Sequence, residues 1–331
     1  MEGLRIGADG RMTAAILLHD RPGAVAANAA ALLREELRTR FGLAGPAARS
    51  ADLTIVIERP RPGGRDDQTF DIRTVGTGGE RRLVVGGTGE RALLYGVCEV
   101  LDRVRRQGRE VRLPAMNLRS SPDIEKRGNE RHAPPSFDTE AGVAENIALI
   151  RALARRRINQ LLWLDRWVNP GWYRFLEFRH YPALAGYVRR RKVAGAKERL
   201  RRIVREARAW GMDFYLGTTE LNVPDWLLAA SPDLFRIGEA GFPVLRYDCG
   251  GTWEFYRAKV REMMEDVPEL AGIELWTAEA MDPASCHVAR PEEWQLSRRL
   301  LHIYEQTLRA MDEAGRPDGR VVCSAFIHHP E

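Results

Sequence analysis

The sequence predicts an α/β protein: a small α+β domain over residues 1–117, followed by parallel βα units over residues 118–331 of the kind that close into a (β/α) TIM-type barrel. Three observations predict it. Strand-like and helical stretches are mixed in the first third, after which helix and apolar strand alternate regularly. No unit opens on a glycine-rich dinucleotide turn, which favours a barrel over a doubly wound sheet. With 331 residues and 44% hydrophobic content, the chain can bury about two cores.

Pro22 opens an Ala/Leu-rich stretch reaching about Arg40, with Gly42 where a helix stop is expected. Leu53 to Ile57 reads as a short β-branched strand. Phe70 to Val75 alternates apolar and polar residues, Gly76 to Glu80 makes a hairpin connection, and Arg82 to Val85 answers as the second strand. Gly86-Gly87-Thr88-Gly89 has no following Lys-Ser/Thr, so it reads as a turn into a helix and not as a phosphate loop. That helix, Glu90 to Arg105, lines Leu93, Leu94, Val97, Val100, Leu101 and Val104 on one face. Only one short strand, Val111 to Leu113, interrupts the polar, proline-rich turns from Gly108 to Pro122, which mark the boundary near residue 118.

Beyond it, five strands are expected: Ile124 to His132, Gln160 to Asp165, Asp213 to Thr218, Gly272 to Glu279 and Arg320 to Phe326. Helices are expected over Ala141 to Arg156, Lys197 to Trp210, Glu254 to Glu265 and Leu300 to Ala314. A complete eight-unit barrel takes about 250 residues, more than follow residue 117, so this barrel is expected to be incomplete at its C-terminus.

The formal net charge is +5, carried by arginines interspersed with acids. The densest basic run, Arg189-Arg190-Arg191-Lys192, reads as a solvated helix face, and no nucleic-acid partner is expected. The four cysteines lie far apart, without metal-ligand spacing or a disulfide framework, so neither a metal nor a cofactor is expected. No apolar run approaches the roughly 20 residues of a membrane span, so a cytoplasmic, non-membrane protein is expected.

In a parallel barrel, catalytic side chains gather at the C-terminal ends of strands. Those ends read Asn129-Glu130-Arg131-His132, Asp165-Arg166-Trp167, Thr218-Thr219-Glu220, Thr277-Ala278-Glu279 and His328-His329. Carboxylates with tryptophan and histidine around a cup suit sugar cleavage, which needs an acid for the leaving oxygen, flat faces for pyranose rings and donors for hydroxyls. Glu279 is the candidate general acid, or a rim carboxylate in an ion pair. Glu220 is a substrate hydrogen-bonder or a structural ion-pair partner. Asp165 is a substrate contact, Trp167 and Trp172 are stacking candidates, and Trp163 belongs to the core. Glu274 lies too early in its strand for the mouth and reads as a buried ion-pair partner of an arginine.

Phe70-Asp71-Ile72, Leu83-Val84-Val85-Gly86-Gly87 and Arg91-Ala92-Leu93-Leu94-Tyr95-Gly96 resemble the non-catalytic N-terminal domain that precedes the barrel in alpha-glucuronidases and beta-N-acetylhexosaminidases. Arg127-Gly128 resembles the opening of those barrels. Phe255-Tyr256-Arg257 through Pro268-Glu269-Leu270-Ala271-Gly272-Ile273 to Glu279 resembles the approach to the fourth strand in the alpha-glucuronidase type, where a glutamate is the general acid. The resemblance implies an oligosaccharide or polysaccharide fragment as partner, Glu279 as acid, and a substrate site shaped by Glu220, His132, Asp165, Trp167 and Arg127. Hexosaminidases carry an Asp-Glu pair where this chain has Ala278-Glu279, which argues against the acetamido-assisted mechanism. In alpha-glucuronidases the carboxylates that activate water lie on later strands than these five. The alternative expectation is therefore a non-catalytic carbohydrate-binding or structural remnant, and an open barrel would also favour oligomers.

Overall fold

The computed structural model describes residues 3–45, 51, 53–61, 67–76, 81–131, 137–164, 175–187, 190–218, 225–237, 243–246, 249–277 and 296–325. They divide into two compact units. One comprises Met1–Arg127 with Ile150–Asn159 and Arg208–Met212; the other comprises Gly128–Leu149, Gln160–Ala207 and Asp213–Glu331.

The first unit opens on β1 (Leu4–Ala8) and β2 (Arg11–Met12), an antiparallel pair in which Ala8 faces Arg11 across a two-residue turn. Asp9 and Gly10 both take positive φ, 49° and 74°, the geometry that twists a hairpin correctly. After β3 (Ala14–Leu18), helix α1 (Ala24–Phe41) buries Ala26, Ala29, Ala30, Leu33 and Leu37. It ends where the sequence predicts, on Gly42 at φ 67°, with the Leu43 N–H returning to the Leu37 carbonyl at 3.2 Å.

Strands β4 (Leu53–Ile57), β5 (Phe70–Val75) and β6 (Arg81–Gly87) follow, then α2 (Glu90–Arg103), β7 (Arg105–Gln107), β8 (Glu110–Leu113) and β9 (Asn117–Ser120). Five of these strands form a mixed sheet in the order β3-β4-β6-β5-β9, parallel through β3-β4-β6 and antiparallel through β6-β5-β9. The expected β5–β6 hairpin pairing is present. β7 and β8 join β1 and β2 in a separate four-stranded sheet. Because β9 pairs with β5, this sheet continues past the boundary expected after residue 117.

Helix α2 packs on β5 and β6. Its apolar stripe, Leu93, Val97, Val100 and Leu101, is fully buried above Ile72, Leu83 and Val85, each such side chain contributing about 1.5–3 kcal/mol. Gly96 permits the close approach, since a Cβ there would sit 2.6 Å from Val85 Cγ1.

The second unit is built on five strands, β10 (Gly128–Arg131), β11 (Gln160–Leu164), β12 (Asp213–Thr218), β15 (Gly272–Thr277) and β16 (Arg320–Ala325), all parallel and in that order. Between them run α3 (Glu140–Arg155), α4 (Arg190–Ala209), α5 (Asp225–Ala230), the small hairpin β13 (Phe235–Ile237) and β14 (Pro243–Leu245), α6 (Gly250–Asp266) and α7 (Leu296–Glu313). The first strand starts at Gly128, not Ile124; Ile124 is 65% exposed, and the residues up to Arg127 lie in the first unit. Helix α5 and the hairpin lie in the long connection between β12 and α6. No helix among the described residues is long and apolar enough to cross a membrane.

Candidate functional site

Side chains alternate across a parallel sheet, and the register sorts them onto two faces. One carries Leu161, Trp163, Phe214, Leu216, Ile273 and Leu275, all buried. Trp163 stands edge-on to Phe214 with centroids 4.7 Å apart, a core residue as its alternation predicts. The other face carries Glu130, Gln160, Tyr215, Glu274 and Arg320. At its N-terminal end Arg320 pairs with Asp213 at 3.2 Å. Higher up, Glu274 shares a row with Leu164, Gly217 and Val322 and is fully buried.

The same register brings the C-terminal ends of the strands, Arg131, Leu164, Thr218, Thr277 and Ala325, to one edge of the sheet. His132 and Asp165 are the next residues along the chain from two of these ends; Glu220 and Glu279 follow two others by two residues. His132, Asp165, Trp167, Trp172, Glu220, Glu279 and His328-His329 lie outside the described residues.

Arg127, the remaining candidate, is described in full. Its Nε donates to the Arg157 carbonyl at 2.8 Å, Nη2 to Gln68 Oε1 at 2.9 Å, and Nη1 to the carbonyls of Ile124 and Glu125. The guanidinium lies over the Tyr95 ring, 5.1 Å from its centroid. Its backbone N–H reaches Asn159 Oδ1 at 2.8 Å, and the Asn159 N–H returns to the Arg127 carbonyl at 3.1 Å. This reciprocal pair sits immediately before the first residues of β10 and β11, Gly128 and Gln160, which face each other in the sheet. Asn159 Nδ2 adds bonds to Gln68 Oε1 at 3.1 Å and the Glu125 carbonyl at 2.7 Å. Burial, opposed by the Arg127 charge, raises the Tyr95 hydroxyl above its ordinary pKa.

A second polar assembly escapes sequence reasoning. Glu262, fully buried on α6, accepts the backbone N–H groups of Glu177 and Arg179. Arg179 also binds Asp266 at 2.8 Å and Glu265 at 3.1 Å, while Lys197 binds Asp266 at 2.8 Å. Burial raises the Glu262 carboxyl despite those N–H bonds. Burial also acts against the Glu265 anion, but hydrogen bonds from His180, Arg261 and Arg179 prevail and hold it at about 2. The available signal was periodicity, since Lys259, Glu262 and Asp266 occupy buried positions on a helix otherwise sealed by Phe255, Val260 and Met263. Among the described residues no three His, Cys, Asp or Glu side chains form a metal-binding group.

A parallel sheet with covering helices, preceded by a mixed α/β unit, is similar in fold to solved structures of glycoside hydrolases. The chitobiase of Flavobacterium johnsoniae, a GH20 protein, matches 97% of this chain at TM-score 0.67 and 16% identity, over 50% of its own chain. A GH138 enzyme targeting pectin rhamnogalacturonan II matches 93% at TM-score 0.65 and 16% identity, over 44% of its chain. The GH20 beta-N-acetylhexosaminidase of Streptomyces coelicolor A3(2) matches 97% at TM-score 0.63 and 15% identity, over 64% of its chain. The chain thus spans about half the length of the first two, and at these identities the likeness is one of fold. No protein-family model and no curated protein matches it.

Proposed function

We propose that this chain belongs to a carbohydrate-active glycoside hydrolase of alpha-glucuronidase-like type, with a TIM-barrel substrate site at the C-terminal ends of the parallel strands. The observation that carries the reading is the common edge formed by Arg131, Leu164, Thr218, Thr277 and Ala325, each followed within a few residues by a polar or aromatic candidate. The hexosaminidase-type fold supports it.

In this reading Glu279 is the general acid that protonates the glycosidic oxygen as the bond breaks. His132, Asp165 and Glu220 bind sugar hydroxyls, and Trp167 stacks on a pyranose face. Arg127 contributes by fixing the start of β10, because its guanidinium is shared among Gln68, three carbonyls and the Tyr95 ring. Ala278 beside Glu279 leaves no aspartate to orient an acetamido group, which favours a sugar without one.

The test is hydrolysis of aryl glycosides and glucuronoxylan fragments by the chain and by Glu279→Gln. Activity in the parent that falls by about 100-fold or more in the variant supports the assignment. A folded parent silent across the panel refutes turnover by this chain, and equal activity in the variant refutes the role of Glu279.

A further inference from the structure

The second unit contains a cavity of about 510 Å³ lined by His180, Tyr181, Pro182, Ala183, Glu254, Arg257, Ala258, Arg261 and Glu313. Its volume falls in the range of small-ligand sites. Its walls are residues 180–183, the middle of α6 and the last residue of α7. Helices α6 and α7 lead into the N-terminal ends of β15 and β16, so the cavity belongs to the helical layer and not to the strand ends that carry the proposed catalytic site.

Among the described residues the Arg261 guanidinium hydrogen-bonds only through Nε, which donates to Glu265 Oε1 at 2.8 Å. The end-on edge of its guanidinium, Nη1 and Nη2, meets no acceptor among the described residues. One helical turn earlier, Arg257 Nη1 donates to Gln306 Oε1 at 2.5 Å and Nε lies 3.9 Å from Glu313, and Nη2 meets no acceptor among the described residues. Among the described residues the Tyr181 hydroxyl has no hydrogen-bond partner, so it is available as a donor; burial and then the Glu254 charge raise it further above its ordinary pKa. Its ring is held edge-on to Phe255 at 5.7 Å. Glu254 is exposed and makes no hydrogen bond to the described protein.

The two-donor edge of Arg261 matches a carboxylate or phosphate. Glu254 and Glu313 choose between them, because they repel a compact trianionic or dianionic ligand yet accept protons from hydroxyl groups beside a single negative charge. A sugar acid supplies that combination.

We propose that this cavity binds an acidic saccharide, its carboxylate held end-on by Arg261 and its hydroxyls shared among Arg257, Tyr181, Glu254 and Glu313. The inference rests on the carbohydrate reading above but places a second site outside the proposed catalytic one. D-glucuronate, D-glucose and inorganic phosphate are titrated into the full chain by ligand-observed NMR and calorimetry. Glucuronate is expected to bind saturably and more tightly than glucose, losing about tenfold or more in affinity in Arg261→Gln. It weakens by about threefold in Tyr181→Phe, which keeps the ring on Phe255 and tests the site even if Arg261→Gln misfolds. Glu279→Gln leaves this binding unchanged.

Saturable binding that ignores Arg261 and Tyr181, phosphate binding as tight as glucuronate, or no binding by the parent overturns the site. Hydrolysis is read separately. Arg261-dependent binding without hydrolysis overturns only the catalytic reading, and hydrolysis with Arg261-independent binding overturns only this one.

Discussion

Asn159→Ala is expected to destabilise the protein by about 3 kcal/mol. The side chain is 2% exposed and makes three hydrogen bonds, from the Arg127 N–H and to Gln68 Oε1 and the Glu125 carbonyl. Two acceptors survive its loss, since Gln68 Oε1 keeps Arg127 Nη2 and the Glu125 carbonyl keeps Gln68 Nε2. The part-buried Arg127 N–H keeps no other acceptor among the described residues, and an orphaned donor there costs about 1–2 kcal/mol. The two satisfied bonds add about 0.5–1.5 kcal/mol each. At a denaturant slope of about 3 kcal/mol per molar urea, the midpoint falls by about 1 M. Urea unfolding followed by circular dichroism and by Trp fluorescence measures it. A shift below about 0.2 M would refute the claim that this side chain ties together the starts of β10 and β11.

Three further outcomes follow from the geometry. Glu265, held at about 2 against an ordinary 4.5, has a depressed folded-state pKa, so its stabilisation is complete above about pH 4.5 and is lost as pH falls towards 2. Discounted for a side chain 26% exposed, this amounts to about 1–2 kcal/mol; melts at pH 6 and pH 3 should show a shallower pH dependence in Glu265→Gln, and an unchanged one counts against the network. Gly96→Ala should cost about 1 kcal/mol net, because the clash with Val85 outweighs the gain in helix propensity, and Val85→Ala in the same chain should recover part of it. Cys98, buried with its thiol pushed up by burial to about 11, should resist a thiol reagent at pH 8 in a variant that keeps it as the only cysteine; rapid native labelling contradicts its burial.

What the sequence made legible is what local chemistry decides. Gly42 marked the end of α1, the alternation of Phe70–Val75 marked β5, and Asp213–Thr218 and Arg320–Ala325 were visible as β-branched or aromatic runs between helices. β1 to β3 went unread although Asp9-Gly10 is a strong hairpin signal, because the flanking strands are short and broken by glycines. The end of α3 carried no glycine to announce it. Arg157 takes the left-handed conformation instead, φ 63°, while its side chain binds Glu99 at 2.9 Å and Asp102 at 3.0 Å. Partners 58 and 55 residues away leave no periodic trace. The same holds for Arg127, which the resemblance places in the substrate site and whose bonds to Gln68 Oε1 and the Arg157 carbonyl join residues 59 and 30 positions away.

The discontinuous make-up of the first unit bears on how the chain is made. Asp102 is bound by Arg155 and Arg157, and Asn28 on α1 donates to the Ala209 carbonyl at 2.7 Å. A nascent chain that has emerged only as far as Arg127 therefore holds β3 to β9 and both covering helices, but not the groups that close its surface. Of its last pieces, Ile150–Asn159 emerges only after β10 and most of α3 have been synthesised, and Arg208–Met212 only after β11 and most of α4. Folding from the N-terminus must pause in a nearly complete state until they arrive, so the ribosome releases the first unit finished only once part of the second is already in hand.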